Sequence, residues 1–193
     1  MVNNCGGNNE PDRPRKILIL WHMAAFTELE ADQQRLDWSI LRDGGISLYL
    51  RKEILKEDIQ QLKSYGYKIV EFNCAGWTST DQMHSAFEDA LLFPPYYGRN
   101  LDALNDCIRE DINVPDTGGL SIVLRNADRC SQIRREFEQA LSILTAAARH
   151  HMLFGHRFLT LVQVSNPRES FEHLGCIGAV WNNKEWLNKS RGL

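Results

Sequence analysis

Phe93-Pro94-Pro95-Tyr96-Tyr97-Gly98-Arg99-Asn100-Leu101-Asp102-Ala103-Leu104-Asn105-Asp106-Cys107 links the end of one helix to the start of another. The two prolines stop the first helix, because proline lacks an amide proton and clashes with the preceding turn. Gly98 permits a sharp entry into the second helix, and Asn100 is a favoured N-cap residue. With that helix running from about Asn100 to Asp111, Leu101, Leu104 and Ile108 fall at i, i+3 and i+7 and form a buried stripe. Asp102, Asn105, Asp106 and Arg109 occupy the opposite stripe, where no core requires them. Asp102, in the first turn, favourably meets the helix dipole. Asp106 stands four residues further on, where like charges oppose a helix by ~0.2–0.5 kcal/mol. Arg109, three residues beyond, is expected to relieve part of this. Of Tyr96 and Tyr97, one is expected to pack beneath the loop. The other is expected to stand exposed as an anchor, a role in which Tyr is favoured.

The surrounding charge is lopsided. Residues 81–111 carry seven acids against Arg99 and Arg109, a local net charge of −5, while the whole chain carries only −3. Such an acidic face suits a partner with a cationic surface. It also argues against direct nucleic-acid binding, which calls for a basic patch.

The 193 residues are 43% hydrophobic and 24% charged, the make-up of an ordinary soluble globular protein. No apolar run approaches the ~18 residues of a membrane span. Arg13-Pro14-Arg15-Lys16 before Ile17-Leu18-Ile19-Leu20-Trp21 loosely imitates a signal peptide, but the run is short and His22 interrupts it. The five cysteines, Cys5, Cys74, Cys107, Cys130 and Cys176, are odd in number and scattered, which suits reduced thiols and a cytoplasmic location. No Cys/His spacing matches a zinc site, and His150, His151 and His156 have no acidic or thiol partner at ligand spacing. No nucleophile motif or phosphate loop occurs. Neither catalysis, a metal nor a cofactor is therefore expected.

Outward from the opening stretch, strands alternate with helices, the pattern of an α/β protein with a small, mostly parallel sheet. Residues 1–16 read as a disordered tail. Residues 17–65 read as an extension on the same sheet, with a short strand at Ile17–Trp21 and a β-hairpin of Trp38–Leu41 and Ile46–Leu50 about the turn Asp43-Gly44-Gly45. A helix follows over 52–65, with Ile54, Leu55, Ile59 and Leu62 inward. The central region, 66–165, holds strand 68–73, helix 79–92, the acidic helix, strand 120–124, helix 131–151 and strand 158–164. Residues 166–193 supply a short edge strand at 176–181 and a terminal helix at 184–189.

Tyr96-Tyr97-Gly98-x-Asn100-Leu101-Asp102-Ala103-Leu104-x-Asp106-Cys107 closely resembles the signature of the barstar family of ribonuclease inhibitors, and the order of elements over residues 66–165 is similar too. The resemblance implies a three-layered fold, with a three-stranded parallel sheet flanked by helices. It also implies a non-catalytic immunity or self-protection factor that occludes the basic active site of a ribonuclease or similar toxin in a 1:1 complex. The partner-binding residues would then be Tyr96, Tyr97, Arg99, Asn100, Leu101, Asp102, Asn105, Asp106 and Arg109, with Asp106 standing where a phosphate would. Three departures point to a partner whose cleft differs from that of barnase. Asn105 replaces a tryptophan, Arg99 replaces an acid, and Ala146 stands where the family has a glutamate. Arg109 also adds a positive charge near the rim. The alternative is a regulatory binding module on the same fold for a partner that is not a nuclease.

Overall fold

The computed structural model describes residues 24–27, 29–172, 174 and 178–193. The expected tail 1–16, the expected strand Ile17–Trp21, Cys5 and Cys176 lie outside the described residues. In chain order the elements are α1 (Glu30–Gln33), α2 (Leu36–Arg42), β1 (Ile46–Tyr49), α3 (Lys52–Ser64), β2 (Tyr67–Asn73), α4 (Thr80–Leu91), α5 (Leu101–Asp106), β3 (Gly119–Arg125), α6 (Arg134–Leu153), β4 (Phe158–Gln163) and β5 (Val180–Trp181).

The strands form one wholly parallel sheet in the order β2-β3-β4-β1-β5. Successive side chains of a strand point to opposite faces, so the register sorts the helices into layers. Phe72, Leu124, Val162 and Leu48 lie in one cross-sheet row. Phe72 packs at 4.9 Å, ring tilted, against Phe87 of α4, and Phe158, on the same face, meets His151 of α6 at 5.4 Å. Tyr49 faces the other way, and its hydroxyl donates to Asp58 of α3 at 3.0 Å. Helices α4–α6 thus cover one face and α3 the other, giving three layers. Leu120–Leu124 and Phe158–Val162 are buried on both faces, as continuous apolar runs in a central parallel strand should be. Fully buried side chains such as Phe87 and Leu104 each contribute about 1.5–3 kcal/mol.

The hairpin expected before residue 50 is not formed. Trp38–Leu41 belongs to α2, and Ile46–Tyr49 pairs in parallel with β4 rather than with the preceding segment. The Asp-Gly-Gly is a helix stop. Gly45 N–H donates to the Ile40 carbonyl at 2.8 Å and Gly44 N–H to Leu41 at 3.2 Å, the double bond of a Schellman cap. Both glycines take positive φ, which either a hairpin turn or a cap would demand, so local sequence alone does not separate them. Packing does: a Cβ on Gly45 would lie 2.3 Å from Cβ of Ala148 on α6, so this turn is pressed against the long helix. The extension still joins the sheet, through β1. Buried Asp37 ties α2 down, accepting from Tyr67 at 2.9 Å and from Arg35 at 2.8 Å.

The expected terminal helix at 184–189 is replaced by a turn and a short 3₁₀ turn at Asn188–Arg191. Glu185 is the reason. Its fully buried carboxylate accepts the Leu50 and Arg51 amides at 2.9 and 2.8 Å, at the entry to α3. A helix through 184–189 would have to give up that clasp. Trp181 flanks the sheet edge under Arg191, whereas Trp186 is 67% exposed.

Candidate functional site

The acidic stretch sits on the α4–α6 face. Ser79 and Gln82 close a capping box at the start of α4, and Leu92 ends it in the left-handed conformation. The chain then turns through the prolines, with Tyr97 N–H donating to the Pro94 carbonyl at 2.9 Å. Tyr97 is the tyrosine beneath the loop. Its ring packs edge-on against Phe93 at 4.7 Å, and its hydroxyl is hydrogen-bonded to Nδ1 of buried His84. Burial raises the Tyr97 pKa and lowers that of His84, so both stay neutral. Tyr97 therefore holds the loop from below and is 7% exposed. Tyr96 is 72% exposed, and its hydroxyl donates to Asp111 at 3.0 Å.

The sharp entry to α5 falls one residue later than expected. Arg99, with φ +47°, takes the left-handed conformation in place of Gly98. The Arg99 guanidinium reaches back to α4, pairing with Glu88 at 2.8 Å and Asp81 at 3.4 Å. This latch consumes two of the local acids, so Arg99 is less available to a partner than its place in the motif implies. Asn100 caps the helix as expected, its Oδ1 accepting the Ala103 amide at 2.9 Å.

Leu104 and Ile108 are fully buried and Leu101 partly so, in accord with the expected stripe. The helix is not regular to its end. Cys107–Asp111 forms a π turn, closed by Ile112 N–H donating to the Cys107 carbonyl at 3.2 Å. The wider turn brings Cys107, Ile108 and Ile112 inward together. It also frees the Ile108 carbonyl, which accepts Nε2–H of His151 at 2.8 Å. His151 is thereby fixed as the Nε2–H tautomer. Burial, aided by nearby His150, His156 and Arg109, holds its pKa below the ordinary histidine value despite that hydrogen bond. Burial likewise pushes the Cys107 thiol up to about 11, so it is an inert core thiol.

Asp102 and Asp106 are exposed on α5, and neither forms an ion pair among the described residues. Among the described residues Asp106 accepts only from its neighbour, Asn105 Nδ2, at 3.4 Å. Asn105 is half-buried, Ala146 is an exposed spot on α6, and exposed Arg109 donates to His150 Nδ1 at 3.2 Å. Of the expected site residues, Tyr96, Asn100, Asp102, Asp106 and Arg109 are exposed and Leu101 and Asn105 half-exposed, while Tyr97 is withdrawn and Arg99 engaged. Sequence reasoning missed the roles of His84 and His151 and the Glu88–Arg99 latch. Nothing in local periodicity marks them, since each acts on a residue outside its own helix.

The defining pattern of the Barstar (barnase inhibitor) family matches residues 67–163. The chain belongs to the barstar family. The match runs from the first residue of β2 to the last of β4, so it takes in α4–α6 and the acidic helix and leaves β1, α1–α3 and β5 outside. A Bacillus subtilis (strain 168) protein, "Putative ribonuclease inhibitor YrdF", is 48% identical over 44 residues, which cover 23% of this chain and 44% of that protein. The chain thus spans less than half the length of this curated relative. No helix among the described residues is long and apolar enough to cross a membrane.

Proposed function

We propose that this barstar-family chain is a non-catalytic inhibitor that blocks a basic ribonuclease or similar toxin by inserting Asp102 and Asp106 into its phosphate-binding cleft. One observation carries the reading. Two carboxylates, one turn apart on a helix locked to the core by Leu104 and Ile108, face solvent without an ion-pair partner among the described residues. A ribonuclease holds RNA phosphate with Arg, Lys and His, and a carboxylate takes the same charge-assisted hydrogen bonds. Because the helix is anchored below and capped by Asn100, little conformational freedom is lost on binding, which favours affinity. Tyr96 and Asn100 frame the contact, and Arg109 stands at its rim.

Such a factor would protect the cell that makes the toxin, in the cytoplasm, as a 1:1 complex. The test is RNA cleavage by barnase, and by other small basic secreted ribonucleases, titrated with the purified chain. Stoichiometric inhibition by the wild type and its loss in Asp106→Ala is the expected result. Equal inhibition by Asp106→Ala would refute the placement of Asp106 in the cleft, and no inhibition of any of these enzymes would refute the ribonuclease assignment.

A further inference from the structure

The acidic face carries an exposed cation at its far end. Arg109 is exposed and, among the described residues, forms no ion pair. It donates to His150 Nδ1 at 3.2 Å instead. A guanidinium only donates, so Nδ1 of His150 accepts in this pair and the ring's N–H is at Nε2. The His150 ring packs on Phe154 at 5.0 Å, and Phe154 and its neighbour Leu153 are 53% and 75% exposed. Arg109, His150, His156 and Phe154 line one open groove between the π turn and the end of α6. Glu110 also lines it without pairing to Arg109, and His156 is engaged with Asp116 at 3.2 Å. The groove therefore offers N–H donors at Arg109 and His150 beside an apolar aromatic wall.

We propose that this groove is the second half of the partner-binding surface and takes a partner loop bearing a carboxylate flanked by an apolar side chain. The inference rests on the reading that the motif helix meets a protein. A uniformly basic partner would cover Arg109 while leaving it unpaired and repelled, which disfavours binding. A carboxylate takes the guanidinium and the imidazole N–H as a charge-assisted pair, and its apolar neighbour covers Phe154. The partner is thus two-signed: cations opposite Asp102 and Asp106, an acid opposite Arg109 and His150. The π turn sets this geometry, since it carries Arg109 alongside α6.

The test titrates blocked peptides Leu-Glu-Leu, Leu-Gln-Leu and Leu-Lys-Leu, and an RNA dinucleotide, onto the isotope-labelled full chain by NMR. The Glu peptide is expected to give saturable shifts at Arg109 Nε–H and at the His150 and Phe154 rings. Arg109→Ser should weaken it by roughly tenfold, Phe154→Ala should weaken both charged peptides, and Arg109→Glu should transfer the preference to the Lys peptide. These side chains are exposed or half-exposed, and the backbone spectrum of each variant verifies the fold. No saturable shift with the Glu peptide, an equal response to the Lys peptide, a stronger response to the dinucleotide, or an unchanged preference in Arg109→Glu would each overturn the proposal. Barnase inhibition and its dependence on Asp106 are read separately. Peptide selectivity without inhibition keeps the groove and removes the ribonuclease, whereas inhibition without selectivity does the reverse.

Discussion

Asp106→Ala is expected to move stability and binding in opposite directions. In the free chain Asp106 stands one turn from Asp102, and it has no cation among the described residues to offset the repulsion. Removing the charge relieves ~0.2–0.5 kcal/mol. Alanine also exceeds aspartate in helix propensity by roughly 0.5–0.7 kcal/mol. Against this, the substitution loses one long, exposed hydrogen bond from Asn105, at 3.4 Å, which contributes little. The net is a gain of about 1 kcal/mol, a rise in Tm of roughly 2–4 °C for a chain of this size. Binding to a basic cleft should weaken by ~2 kcal/mol or more, about thirtyfold, because a central charged anchor is lost. Chemical denaturation of the free chain and calorimetry of the complex read the two effects separately. A variant that is less stable would show that Asp106 serves the fold. Unchanged affinity for a ribonuclease that the wild type binds would show that it does not serve the interface. Only the crossed result fits a carboxylate kept for a partner at the expense of its own helix.

Three further outcomes follow from the packing. Tyr97→Phe should cost about 1–3 kcal/mol, because it leaves Nδ1 of buried His84 without a partner; a melt unchanged from wild type would refute the role given to that hydroxyl. Stability should fall as pH drops below about 6.5, since His84 and His151 have lowered pKa values in the fold and the unfolded chain takes up their protons first. Each excluded proton steepens that fall by up to about 1.4 kcal/mol per pH unit, and a His84→Gln, His151→Gln double variant with the same acid profile would count against it. Gly45→Ala should destabilise by about 1–3 kcal/mol, because its methyl would meet Ala148 at 2.3 Å on a backbone with φ +81°; pairing it with Ala148→Gly should recover part of the loss in denaturant melts.

The individual elements were largely legible in the sequence because their signals are local. Ile54, Leu55, Ile59 and Leu62 reveal α3 by spacing alone, and the apolar run Leu120–Leu124 reveals a central strand. The buried stripe Leu101–Leu104–Ile108 and the outward Asp102 and Asp106 followed from the same periodicity. What failed had two local solutions of similar merit. Asp43-Gly44-Gly45 suits a hairpin turn or a helix stop, and only the contact with Ala148 decides between them. Either Gly98 or Arg99 could bend the chain into α5, and Glu88 and Asp81, across on α4, fix the strained conformation on the arginine.

From sequence alone came the α/β class, the capped acidic helix and its division into an inner apolar and an outer charged stripe, because these depend on residues within one or two turns of each other. The tertiary structure decided which of those residues are free to act. Tyr97 is withdrawn because His84 and Phe93 wait beneath it, and Arg99 is engaged because α4 lies beside it. Glu185 is turned inward by the amides of Leu50 and Arg51, residues more than a hundred positions earlier in the chain. The π turn at Cys107–Asp111 is satisfied by His151 of α6, which no helical pattern could foretell. Partners that lie on different elements leave no periodic trace, and the packing of helices on a parallel sheet is what brings them together.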